Sequence, residues 1–159
     1  MLTRILCATD GSKHADRALR YATQLASQPG AELHIVHVIE KLTVGRLAGQ
    51  NVYLNEAEIK TKITQQTAEI THGQGINATL HATKGNANRL AQRIAEIANN
   101  VDADVIVIGT HGHTPLAGLL LGSVTAQLLH VTHRPVLALP PTGNPQRTDA
   151  QPERLGSAA

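Results

Sequence analysis

The residues best suited to chemistry sit in one late stretch. Gly109-Thr110-His111-Gly112 opens it and Gly122-Ser123-Val124-Thr125 closes it. It follows the apolar run Val105-Ile106-Val107-Ile108 and leads into a helix-like segment from Val124 to Val131. A β-branched run, then small residues, then a helix start presents backbone N–H groups to an anion. Glycine at such points permits φ > 0 and lets a ligand approach the main chain. The chemistry implied is phosphate binding by a backbone cradle. A long turn with no ligand has the same residues, and at this level both readings stand.

Other patterns are weaker. No Lys stands beside Gly122-Ser123 as it would in a P-loop. Gly73-Gln74-Gly75-Ile76-Asn77-Ala78 precedes a strand instead of following one, so it is not a dinucleotide fingerprint. His111 and His113 lack a nearby third ligand and read as solvated imidazoles, not a metal site. His130 and His133 suit a helix C-terminus, and His34 and His37 suit packed or hydrogen-bonded strand positions. Cys7, the one cysteine, excludes an internal disulfide and a Cys-based zinc site, and mid-strand it should be buried and inert. Asp10, in Thr9-Asp10-Gly11-Ser12, is a lone acid at a turn, where a response-regulator receiver would need an acidic cluster.

Composition narrows the class. The 159 residues suit one domain, and 42% are hydrophobic. Two Tyr are the only aromatics besides His, so the core is aliphatic and stacking platforms for single-stranded nucleic acid are missing. Net charge is +2 without a Lys/Arg cluster, which argues against a nucleic-acid partner. No apolar run approaches the roughly 20 residues that span a bilayer, and the N-terminus does not read as a signal peptide. The expectation is a cytoplasmic protein with no membrane or nucleic-acid partner.

The elements that must position the glycine stretch follow from periodicity. Arg4 to Thr9 is a strand ended by Asp10-Gly11-Ser12. Ser12 is placed to cap a helix from Lys13 to about Ser27, with Ala15, Ala18, Leu19, Ala22, Leu25 and Ala26 inward. Leu33 to Ile39 is a second strand. Glu40 to about Asn55 reads as a long, partly helical connection. Glu56 to His72 is a helix with Ala57, Ile59, Ile63, Ala68 and Ile70 in a loose pattern. Ile76 to Thr83 is a third strand, Lys84-Gly85 a turn, and Asn86 to Asn99 an amphipathic helix with Leu90, Ala91, Ile94, Ile97 and Ala98 inward. Ala103 to Ile108, a helix from Ser123 to Thr132, and a fifth strand from Arg134 to Pro140 complete a domain over 1–140. Residues 141–159 read as a disordered tail.

Strands alternating with helices predict an α/β protein: one doubly wound, five-stranded parallel sheet with helices on both faces. In the order 3-2-1-4-5, the chain reverses between the first and fourth strands, and ligands bind beyond the strand ends at that point. The Asp10 turn and the Gly109 loop would meet there.

Gly109-x2-Gly112-x9-Gly122-Ser123 resembles the nucleotide signature of the universal stress protein family, in its ATP-binding branch. The Thr9-Asp10-Gly11-Ser12 turn, His37-Val38-Ile39, Ala103 to Ile108 and Arg134-Pro135-Val136-Leu137 extend the resemblance over nearly all of residues 1–140. It implies a Rossmann-like sheet of the adenine nucleotide alpha hydrolase type, holding ATP, ADP or AMP. By the same resemblance, Ala8 and Val38 lie on the adenine side, and Asp10 lies beside ribose and polyphosphate, where it could help hold Mg. Gly109, His111 and Gly112 correspond to ribose and phosphate positions, and Gly122, Ser123, Val124 and Thr125 to the phosphate-binding helix start. Lys84, after the third strand, is the nearest candidate counter-charge. The family dimerises through its last strand, which implies a homodimer built on Val136 to Leu139, a sheet edge open to pairing.

The function expected is a nucleotide-dependent stress-response switch with an unidentified protein client, and no residue is placed as a catalytic base. A slow Mg-dependent ATPase using Asp10 and a dimeric scaffold independent of nucleotide are the alternatives.

Overall fold

The computed structural model describes residues 2–12, 15–40, 43–47, 50–53, 56–72, 75–85, 89–110 and 121–140. Strand β1 (Arg4–Ala8) lies at the centre of a five-stranded parallel sheet, bonded on one side to β2 (Glu32–Glu40) and on the other to β6 (Val105–Gly109). Strand β5 (Asn77–Gly85) extends the sheet beyond β2, and β7 (Val136–Leu139) extends it beyond β6. The spatial order β5-β2-β1-β6-β7 is the expected 3-2-1-4-5, with a separate hairpin between the second and third strands.

Alternation along each strand feeds two cores. Ile5, Cys7, Leu33, Ile35, Val105 and Val107 pack on one face against Ala18, Leu19, Ala22 and Ala26 around α1 (Asp16–Leu25), with Ile70 of α2 (Glu56–Thr71). Leu6, Ala8, Val36, Ile106 and Ile108 pack on the other against Ala91, Ile94, Ala95 and Ala98 of α3 (Leu90–Asn100) and Leu128 of α4 (Ser123–Val131). A parallel sheet needs both faces covered, which is why its central strands are apolar throughout. Cys7 is fully buried, as expected, and desolvation pushes its thiol up to about 12.

The structure corrects several local expectations. The described residues between 40 and 55 are extended, not helical: β3 (Thr43–Leu47) pairs antiparallel with β4 (Gln50–Tyr53), Leu47 opposite Gln50. Val44, Val52 and Tyr53 favour extended backbone, and a two-residue spacing suits a hairpin. Helix α1 is Asp16–Leu25, and the Ser12 hydroxyl and carbonyl both accept from the Ala15 N–H; the expected start at Lys13 lies outside the described residues. Among the described side chains of α2, Ile63, Thr67 and Ile70 are buried, whereas Ala57 and Ala68 are exposed. Lys84-Gly85 is not a turn but the end of β5, paired with Ile39 and Glu40.

The amino ends of the central strands are tied by ions. Asp104 accepts from the Thr3 N–H at 2.7 Å, the Arg4 N–H at 2.9 Å and the Thr3 hydroxyl at 3.0 Å. Asp102 bridges Arg4 at 2.7 Å and Arg134 at 2.9 Å. This end of the sheet is a structural clamp, opposite the end where the loops converge.

Candidate functional site at the switch point

Register sets the ends of β1 and β6 side by side. Ala8, at the end of β1, stands opposite Val36 of β2 and Ile108 of β6. The loops that begin at Thr9 and Thr110 therefore leave adjacent strands at the same level. Val38 lies in β2, two residues beyond Val36, paired with Thr83. The Ala8 side chain packs in the α3–α4 core.

The Asp10 turn is closed by its own side chains. The Gly11 N–H donates to the Thr9 hydroxyl at 3.1 Å, and the Ser12 N–H donates to Asp10 Oδ1 at 2.9 Å. Gly11 adopts φ +74°, a region that side chains other than glycine avoid, and a Cβ there would lie 3.4 Å from Ile63 Cγ1. Helix α2 thus seats the turn from outside. That contact was hidden by the irregular pattern of α2, whose Thr67 occupies an inward position.

From β2, His37 reaches the same turn: its Nδ1–H donates to the Thr9 carbonyl at 2.8 Å, and the ring is buried. The expectation of a hydrogen-bonded strand histidine holds for His37 and also for His34, whose Nδ1 lies 3.1 Å from His81 Nε2.

On the far side, Gly109 ends β6 opposite Leu139. The Thr110 N–H donates to the Leu139 carbonyl at 2.8 Å, and the Gly122 N–H returns to the Thr110 carbonyl. The loop between them leaves and re-enters the fold at almost one point. His111 and Gly112 fall outside the described residues, so their expected roles carry no geometry. Gly122 precedes α4 with φ −66° and ψ 155°, and positive φ among the described glycines is confined to Gly11, Gly30 and Gly75. The reason proposed from sequence for glycine at 109 and 122, a left-handed backbone, therefore fails; what remains is the absence of a side chain beside the helix end.

Among the described residues no side chain caps helix α4. The amides of Ser123, Val124 and Thr125 lie in its first turn, where no intrahelical acceptor exists, and they carry the positive end of the helix dipole. The Thr125 hydroxyl, expected to face phosphate, donates instead to the Gly109 carbonyl at 2.9 Å, and the residue is 2% exposed. Ser123 is exposed at the helix start and Val124 half-buried. Among the described residues no group of three His, Cys, Asp or Glu side chains converges to hold a metal, and no helix is long and apolar enough to cross a membrane.

These features define an open, doubly wound α/β protein with an acid-bearing turn and a bare helix N-terminus at its switch point. The universal stress protein family model matches residues 1–140, and the chain belongs to that family. Universal stress protein A homolog 1 of Coxiella burnetii is 31% identical over 139 residues, covering 85% of this chain and 94% of that protein. A universal stress protein solved in complex with cAMP aligns with a TM-score of 0.65 at 24% identity, over 89% of this chain and 98% of the other. The universal stress protein of Archaeoglobus fulgidus solved in complex with dAMP gives 0.57 at 22%, over 87% and 97%. The two solved structures attest to the fold.

Proposed function

We propose that this chain binds an adenine nucleotide at the switch point and acts as a nucleotide-dependent stress-response regulator, not a fast enzyme. The observation that carries the reading is the pairing of two features across adjacent strands: the Asp10 turn ending β1 and the uncapped first turn of α4 following β6. A helix start with orphan N–H groups suits phosphate, and a carboxylate on the opposite wall suits ribose hydroxyls or a phosphate-bound Mg. Related proteins solved with cAMP and dAMP support an adenine nucleotide as the ligand class. In this reading Val38 offers its main chain to the adenine edge, and Gly109, His111 and Gly112 border ribose and phosphate. ATP is the nucleotide favoured, with ADP and AMP as its products or competitors.

The sheet edge at β7 is the second part of the proposal. Strand β7 ends the sheet and all four of its residues are half-buried, which suits a homodimer formed through Val136 to Leu139. Sedimentation equilibrium should give twice the 16.9 kDa chain mass.

Mass spectrometry of small molecules released from freshly purified protein tests the nucleotide reading. An adenine nucleotide in near-stoichiometric amount, or tight binding of added ATP, is expected. If neither appears, the nucleotide proposal falls. ADP accumulating above the no-protein control over hours would instead make the chain a slow ATPase.

A further inference from the structure

We propose that His37 is a positioning residue for the candidate site, holding the peptide that leads into Asp10; the role in affinity rests on the nucleotide reading above. Three bonds converge on Thr9. Its N–H donates to the Val36 carbonyl at 3.0 Å, its carbonyl accepts from His37 Nδ1 at 2.8 Å, and its hydroxyl accepts from the Gly11 N–H at 3.1 Å. Both polar groups of the Thr9 main chain therefore face β2. The following peptide is trans and planar, so its N–H, that of Asp10, points the opposite way. Because β1 lies between β2 and β6, that is the side of the Gly109 loop.

The histidine is suited to this task. A carbonyl can only accept, so the bond requires the proton on Nδ1, and burial at 6% exposure keeps water from competing for the Thr9 carbonyl. His37 also directly precedes Val38, the strand residue assigned to the adenine edge. One side chain thus joins the two walls of the site, the base side on β2 and the acid-bearing turn on β1. Removing it would leave a carbonyl unpaired at the root of the turn and loosen the direction of Asp10.

Replacements that move the donor separate positioning from packing. His37→Asn keeps a donor near the place of Nδ1, His37→Gln carries it one methylene farther, and His37→Leu fills similar space with none. Hydrogen exchange at Gly11 and Ser12 reads the turn without any nucleotide: exchange should quicken in the Leu and Gln variants and return toward wild type in Asn. ATP titration should show affinity weakened roughly tenfold in Leu and Gln, a change of about 1.4 kcal/mol, with Asn within about threefold of wild type. If wild type binds ATP and all three variants match it, the positioning role is refuted while the nucleotide reading survives. If wild type binds no nucleotide, the nucleotide reading fails. Unchanged exchange at Gly11 and Ser12 in the Leu variant refutes the positioning role on its own. Should the Leu variant fail to fold, the Asn and Gln pair decides: equal exchange and affinity in both overturn the proposal.

Discussion

The Thr125 hydroxyl donates to the Gly109 carbonyl at 2.9 Å, tying the first turn of α4 to the last residue of β6. The intervening segment spans residues 110–124, yet its two ends are pinned within one hydrogen bond of each other. That bond sets where the orphan amides of α4 stand relative to the sheet. Thr125→Val preserves shape but removes the donor to a half-buried carbonyl, at a cost of about 0.5–1.5 kcal/mol. Urea unfolding should show that loss, accompanied by weaker nucleotide binding, and Thr125→Ser should retain most of both.

Gly122→Val separates fold from function. The backbone at 122 is extended, a conformation that a β-branched residue accepts, so stability should change little. Its side chain would stand where a phosphate must approach the α4 amides. Affinity for ATP is expected to fall by about a hundredfold or more, near 2.8 kcal/mol, with the sedimentation mass unchanged. Isothermal titration beside sedimentation checks both halves.

Gly11 answers to backbone strain. At φ +74° any side chain is penalised, and a Cβ would also meet Ile63 at 3.4 Å. Gly11→Ala should destabilise by about 1–2 kcal/mol, read by denaturant midpoint. Gly11→Asn should cost less of the backbone term, because asparagine tolerates the left-handed region better.

Acid should expose the clamp at the other end of the sheet. Backbone N–H groups of Arg4 and Thr3, then the Thr3 hydroxyl and the Arg4 charge, hold the Asp104 carboxyl down to about 2, against burial that opposes them. A carboxylate with a lowered folded pKa favours the folded state above its ordinary value of 3.8. That contribution is lost as pH falls from there toward 2. Asp104→Asn should therefore be less stable near neutrality and show a shallower loss between pH 4 and 2, measured by thermal unfolding across pH.

Much of this was legible in the chain. The runs Ile5 to Ala8 and Val105 to Ile108, cut by Asp10-Gly11-Ser12 and by Gly109, were enough for the sheet and its switch point, because a strand buried on both faces is apolar without a break. The hairpin was not, since Gly45 and a bulge between Thr43 and Gly45 break the alternation that marks a strand. Nor was the seating of Gly11 by Ile63, a tertiary contact of a helix whose inward row includes Thr67. His37 was visible as a bonded strand residue, but its partner is a main-chain carbonyl, and carbonyls leave no trace in residue type. The same limit explains Thr125: a hydroxyl at a helix start suits either phosphate or the backbone, and the structure gives it to Gly109.

In the proposed function one adenine nucleotide lies between the Asp10 turn and the start of α4. Titration of ATP into 15N-labelled protein, followed residue by residue, tests it most directly. Saturable shifts are expected to cluster at Asp10 to Ser12, Val38, Gly109 and Gly122 to Thr125, with the Arg4–Asp102–Arg134 end of the sheet unmoved. Saturable shifts clustered elsewhere, or a spectrum unchanged at millimolar ATP, would contradict that placement.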